Sequence, residues 1–269
     1  MPDLKLNHSH IHYETNGSGP AVILSPGLAG LRGFWTNLVA PLSKSRTVVL
    51  YDHRGCGQSG PSGSAVSVEE MAEDVLALAD HLGCDRFDLL GHSTGGALGQ
   101  VLAATHPDRL ASLILSSSWD YCDPYWQLLF STRKTVLRDL GAGPYKALGA
   151  LFLYPPEHLV QHSDALTAQS APMSKTQVAT VLARLDALLR FDGRPYLDHI
   201  NCPTLVLCAE DDALTPVYYS RRLHAAINGA HLALLPGGGH SAALVQPEPY
   251  VRTVTQFLDQ QRKPAGGGP

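Results

Sequence analysis

The stretch FDLLGHSTGGALGQ, residues 87 to 100, runs from an apolar segment through two glycines and a serine into the opening of a helix. Gly91-His92-Ser93-Thr94-Gly95 matches G-x-S-x-G, and its place between strand and helix is the pattern of a nucleophile elbow. A serine hydroxyl is a poor nucleophile unless an adjacent base and an exposed position activate it, and a sharp strand-to-helix turn lifts it above the sheet. Gly91 and Gly95 leave room for that turn. The same turn aims the Thr94 N–H, at a helix start, toward an oxyanion formed on an attacked carbonyl. A second donor is needed, and SPGLAG, residues 25–30, supplies one in the Leu28 N–H. The plain alternative is a chance pentapeptide match, against which the strand-to-helix context argues.

Working outward, short apolar runs alternate with helix-period runs. AVILSPG, RTVVLYD, FDLLGHS, LASLILSSS, TLVLCAE and HLALLPGG are continuous and apolar, as parallel strands covered on both faces require. LKLNHSHIHYE alternates like one antiparallel first strand on an exposed face. VEEMAEDVLALADHLG places Met71, Val75, Leu78, Ala79 and Leu82 on one helical face, with Gly83 as its stop. The fold class expected is α/β, a doubly wound, mostly parallel sheet. From about Trp119 to Ile200 only helical periods and turns occur, TQVATVLARLDALLRF being the clearest, so an inserted helical lid over the strand ends is expected. The core then comprises residues 1–118 and 201–264, the cap 119–200, and 265–269 a disordered tail.

Composition restricts the function classes. In 269 residues, 44% are hydrophobic and 16% charged, against about 25% charged in an ordinary globular chain. The net charge is −4 and the basic residues are scattered, so neither nucleic acid nor an anionic membrane is an expected partner. No signal peptide or membrane span is read, and a cytoplasmic location is expected. The expected partner is a small-molecule substrate, with a homodimer left open. Five cysteines, odd in number and without a C-x-x-C pair, read as reduced packing residues. Two signals are discounted. Gly55, Gly57 and Gly60 match G-x-G-x-x-G, but PSGSAVS follows where a helix would have to open to hold a pyrophosphate. His8, His10 and His12 share a strand face, but no acidic or cysteine ligand accompanies them.

If Ser93 is a nucleophile, an acid and then a histidine should follow it at strand ends. EDDALTP follows the TLVLCA run, and the next strand run ends in a glycine loop carrying His240. Asp212 orienting His240 while His240 accepts the Ser93 proton completes a triad. Asp211, beside it, and Asp120, after the strand that follows the elbow helix, remain alternative acids. His92 reads as structural.

SPGLAG, DHRGCGQS, GHSTGG, EDDALTP and GGGH together resemble the α/β-hydrolase superfamily over essentially the whole chain. LFLYPPEHL and the segment from FDGRPYLDHI to RRLHAAI resemble its aminoacrylate hydrolase and enol-lactonase-like branch. The resemblance implies a cofactor-free serine hydrolase with no metal, and an acid four residues before the proline of its loop, which selects Asp212 ahead of Pro216. It implies a small acyl, enamine, amide, ester or lactone substrate, such as a small carboxylic acid of a catabolic pathway. Ser25 departs from the pattern, since many relatives carry histidine there. Carbon–carbon bond hydrolysis and perhydrolysis on the same fold stay open, as does a triad-retaining small-molecule receptor. In the insertion, Trp119, Tyr121, Tyr125, Trp126 and Tyr154 either line the pocket or pack the lid. Arg133, Arg138, Arg184 and Arg190 either hold a substrate carboxylate or lie on solvated faces.

Overall fold

A computed structural model describes residues 2–6, 9–61, 66–162 and 172–261. Within them eight strands form one sheet in the order β1-β2-β4-β3-β5-β6-β7-β8. The strands are β1 (Asp3–Leu6), β2 (Ser9–Asn16), β3 (Ala21–Ser25), β4 (Thr47–Tyr51), β5 (Phe87–His92), β6 (Leu110–Ser116), β7 (Thr204–Ala209) and β8 (His231–Leu235). β3 to β8 pair in parallel, while β1/β2 and β2/β4 are antiparallel. Every residue of β3, β5 and β7 is buried, which is why these runs read as continuous apolar segments.

Helices α1 (Thr36–Leu42), α2 (Val68–His81) and α3 (Thr94–Thr105) fill the crossovers. α2 opens on a capping box in which Ser67 and Glu70 satisfy each other's backbone N–H. It closes on Gly83 at φ 68°, the expected stop. Two apolar cores result: one joins α2, α3 and the inserted helices to one sheet face, and the other packs α1 and the last helix on the opposite face.

Between β6 and β7 the described residues form helices and one isolated bridge. The principal helices are α4 (Pro124–Thr135), α5 (Ala142–Leu153), α6 (Pro156–Gln161) and α7 (Lys175–Arg190). The two ends of this insertion are pinned together by the Tyr121–Asp192 bridge and by the Gly193 N–H donating to the Asp120 carbonyl at 2.6 Å. Beyond it, α8 (Val217–Ala226) follows β7 and α9 (Pro247–Gln260) follows β8.

The N-terminal run departs from expectation, for it is a hairpin in which Leu6 pairs with Ser9. Nor does His12 stand on an open face. His12 is buried with Nδ1 2.8 Å from the Asp3 carboxylate, and His10 Nε2 lies 3.0 Å from the Gln58 carbonyl. His8 and the tail at 265–269 lie outside the described residues. The glycines that imitate a dinucleotide fingerprint serve a turn around Asp52: a Cβ on Gly57 would come within 2.2 Å of its carboxylate. No helix among the described residues is long and apolar enough to cross a membrane.

Candidate active site

Ser93 stands alone between the end of β5 and the start of α3, at φ 53° and ψ −114°. Such backbone costs a non-glycine residue about 1–3 kcal/mol and persists only where its surroundings enforce it. Here the Ser93 N–H donates to the Ser116 carbonyl at 2.8 Å, and the Ser93 carbonyl accepts from Gly96 N (2.8 Å), Ala97 N (3.1 Å) and Ser118 Oγ (3.0 Å). The flanking glycines are sterically required. A Cβ on Gly91 would lie 2.0 Å from the Gly95 carbonyl oxygen, and one on Gly95 would lie 2.2 Å from that of Ser25. A Cβ on Gly27 would lie 3.2 Å from the Ser93 Cβ, so the loop after β3 runs directly against the serine. Among the described residues the Leu28 N–H, in the loop after β3, donates to no protein acceptor, and the Thr94 N–H donates to none outside α3.

The loops after β7 and β8 bring Asp212 and His240 together. Both are buried, and His240 Nδ1 lies 3.0 Å from Asp212 Oδ2 and 3.3 Å from Oδ1. Asp212 Oδ1 accepts the N–H groups of Leu214 (2.9 Å) and Thr215 (2.8 Å). Thr215 Oγ donates to Oδ2 at 2.7 Å and lies 3.1 Å from His240 Nδ1. An Nδ1 that donates to this carboxylate leaves the lone pair of the neutral ring on Nε2. The His240 ring sits 4.6 Å from that of His92, the residue before Ser93. No direct Ser93–His240 hydrogen bond is formed among the described residues; such bonds commonly close only with substrate.

The alternative acids are engaged elsewhere. Asp211 accepts from Gly238 N (3.2 Å) and Gly239 N (2.8 Å), shaping the glycine loop that carries His240. Asp120 is ion-paired to Arg222, which also binds Asp123 at 3.0 Å, so it belongs to the hinge of the insertion. Thr215 is the member that sequence reading missed; its place three residues after an aspartate, where a side chain caps backbone N–H groups, was the available signal.

In the insertion, Trp119 and Trp126 are fully buried and stack at 4.1 Å, continuing onto Phe130 at 4.1 Å, so they form a packing column. Tyr125 donates its hydroxyl to the Ala213 carbonyl beside Asp212, and Tyr154 stacks on His158 at 5.2 Å. Arg138 is exposed and pairs with Asp139, and Arg190 donates to the Val66 carbonyl at 3.1 Å. Arg184, expected as a substrate anchor or a solvated arginine, is neither solvated nor open: its guanidinium is turned onto the Gly27–Leu28 loop and His53. Arg133 is buried, lies over the Phe130 and Tyr145 rings at 5.1 and 5.2 Å, and has no carboxylate partner among the described residues.

Residues 20–247 match the family model described as alpha/beta hydrolase fold. The chain belongs to this family. It is 34% identical over 262 residues to the "Putative carbamate hydrolase RutD" of Azorhizobium caulinodans, covering 97% of this chain and 99% of that one. It is 37% identical over 256 residues to the protein of the same name from Caulobacter sp. strain K31, covering 92% and 95%. Among solved structures it resembles the enol-lactonase of Burkholderia xenovorans LB400, at TM-score 0.87 and 27% identity over 96% of this chain and all of that one. It also resembles a thermophilic esterase of Thermogutta terrifontis solved with malate bound, at TM-score 0.84 and 25% identity over 95% of each chain. The chain is an α/β-fold hydrolase, and the resemblance to the enol-lactonase-like branch holds.

Two further histidines of this hydrolase give a stability prediction. Burial, then the charge of Arg184, holds His53 well below the ordinary 6.5; burial, then His240, does the same to His92. The unfolded chain takes up these protons as pH falls through about 6.5 and the folded chain does not, so each histidine should subtract up to ~1.4 kcal/mol of stability per pH unit below that value. Urea midpoints at about pH 7.5 and about pH 5.5 check this, and equal midpoints would contradict it.

Proposed function

We propose that this hydrolase cleaves an acyl C–N or C–O bond of a small substrate, a carbamate in first place and a short ester or lactone in second, under its helical insertion acting as a lid. Ser93 attacks the carbonyl carbon while its proton passes to His240 Nε2, and Asp212 stabilises the resulting imidazolium through Nδ1. The oxyanion lies between the Leu28 and Thr94 N–H groups. Collapse expels the amine or alcohol, which takes its proton from His240, and water activated by His240 then hydrolyses the acyl- or carbamoyl-serine. The observation that carries this reading is the strained Ser93 corner with the buried Asp212–His240 pair beside it. The carbamate hydrolase name of the relatives supports the C–N bond, and the enol-lactonase supports the C–O bond.

Arg133 supports an anionic group on the substrate. A buried guanidinium that meets no carboxylate among the described residues is costly to hold, and an arriving carboxylate would relieve it. Among the described residues Arg133 Nε has no hydrogen-bond partner, and Nη2 meets the Tyr145 hydroxyl at 3.4 Å. A Cβ on Gly149 would lie 3.5 Å from Nη2; one turn further along α5 the Leu153 carbonyl accepts the N–H of Ser241, beside His240. Malate in the similar esterase supports the same class of ligand. Arg133→Met should raise KM for acidic substrates ~10- to 100-fold, the loss of one charge-assisted bond, and leave a neutral ester nearly unchanged. Equal KM changes on both would remove the anion anchor.

The reading as a whole is tested by steady-state turnover of a small carbamate and of activated short-chain esters, with product release followed over many cycles. Sustained turnover supports it. A single burst without turnover favours a receptor, and no reaction with either substrate rejects it.

A further inference from the structure

Helix α7 buries Arg184 to 1% exposure, and its guanidinium meets no carboxylate among the described residues. Instead Nε donates to the Leu28 carbonyl at 2.9 Å, while Nη2 lies 3.4 Å from the Gly27 carbonyl oxygen and 2.7 Å from His53 Nδ1. A guanidinium only donates, so His53 accepts at Nδ1 and carries its proton on Nε2. That nitrogen is 3.2 Å from Ser25 Oγ, which is 2.7 Å from the Tyr51 hydroxyl. A buried chain of polar groups thus runs from the insertion, beneath the loop after β3, to Ser25.

The loop so gripped is the one that presents the Leu28 N–H. The Gly27 carbonyl and the Leu28 N–H belong to one trans peptide and point in opposite directions. With the Gly27 oxygen held by Gly30 N at 2.9 Å and by Arg184, the Leu28 N–H is directed away from the guanidinium. Rotating that peptide would break both bonds, and the grip on the Leu28 carbonyl restrains the next peptide as well. The fixed positive charge also sits one peptide unit behind the donor, where it favours negative charge on the substrate side.

We propose that Arg184 is a positioning residue, tying helix α7 to the Gly27–Gly30 turn and fixing the Leu28 N–H as an oxyanion donor, so that the oxyanion hole is complete only with α7 seated. This rests on the serine hydrolase reading of the same site. It predicts that damage at Arg184 appears in the transition state and not in substrate binding.

The test compares Arg184→Gln and Arg184→Lys with wild type in kcat and KM on a neutral activated ester. Alongside, it measures affinity for an alkyl boronic acid, which forms a tetrahedral adduct on the serine. Losing one oxyanion donor typically costs about 10²–10³ in kcat. Arg184→Gln should therefore lower kcat about 10²-fold with KM changed less than about threefold, and should weaken boronate binding in proportion. Arg184→Lys keeps the charge and one donor and should recover part of both losses; should the Gln variant fail to fold, the Lys variant is read by the same two measures. A kcat within about threefold of wild type, an effect confined to KM, or a kcat loss with unchanged boronate affinity overturns the proposal. Wild type that neither turns over the ester nor binds the boronate rejects the serine hydrolase reading itself, whereas active wild type with unimpaired Arg184 variants rejects the positioning role alone.

Discussion

Ser93→Ala should lower ester and carbamate turnover by ~10⁶, the loss seen when a triad enzyme is deprived of its nucleophile, with the unfolding midpoint nearly unchanged. Two features separate the effects on activity and fold. The hydrogen bonds that hold the strained corner run through the Ser93 backbone N–H and carbonyl, and both survive in alanine. Only one buried oxygen atom is removed, and alanine meets the same φ of 53° with a Cβ of the same kind. Residual catalysis of ~10³–10⁴ over water is expected, from the two N–H donors and substrate binding alone. A serine-directed phosphonate should mark wild type at Ser93 and leave the alanine variant unmarked, as read by peptide mass spectrometry. A mark on any other serine would sink the assignment.

Local signals carried most of this site. The elbow was legible because its demands are steric and lie within five residues, from Gly91 to Gly95, and the inner parallel strands were legible because burial on both faces leaves continuous apolar runs. Asp212 and His240 were legible because chain order and strand ends limit which side chains can meet. Long-range partnerships were not legible. The alternation of LKLNHSHIHYE is the same on both arms of a hairpin, so periodicity marked no reversal where Leu6 pairs with Ser9. His12 was expected on an open face because nothing in its own stretch announces Asp3 or Ser59 as partners. Arg184 is the extreme case: it occupies an ordinary helical position, and the carbonyl that explains it lies 156 residues away.

Asp212→Asn should lower turnover by ~10⁴ while the protein stays folded, and the hydrogen bonds around the carboxylate say why. Oδ1 faces two backbone donors, the N–H groups of Leu214 and Thr215, so the amide oxygen of asparagine must take that side. The NH₂ group is then left on the side of Oδ2, facing His240 Nδ1 at the 3.0 Å now bridged by Nδ1–H. Two donors cannot share that contact, so His240 gives up its Nδ1 proton and carries one on Nε2 instead. An imidazole protonated on Nε2 has no lone pair on that nitrogen to receive the Ser93 proton, and turnover falls although every side chain keeps its place. Asp120→Asn and Asp211→Asn are the matching controls. The first removes a charge partner of Arg222 at the insertion hinge and should lower the unfolding midpoint with kcat kept within about threefold. The second weakens two hydrogen bonds to the glycine loop and should have an intermediate effect on kcat. Rates for the three variants beside their urea midpoints decide the matter: if Asp120→Asn proved the crippling change and Asp212→Asn the mild one, the acid would lie at the hinge and the Asp212–His240 pair would be structural.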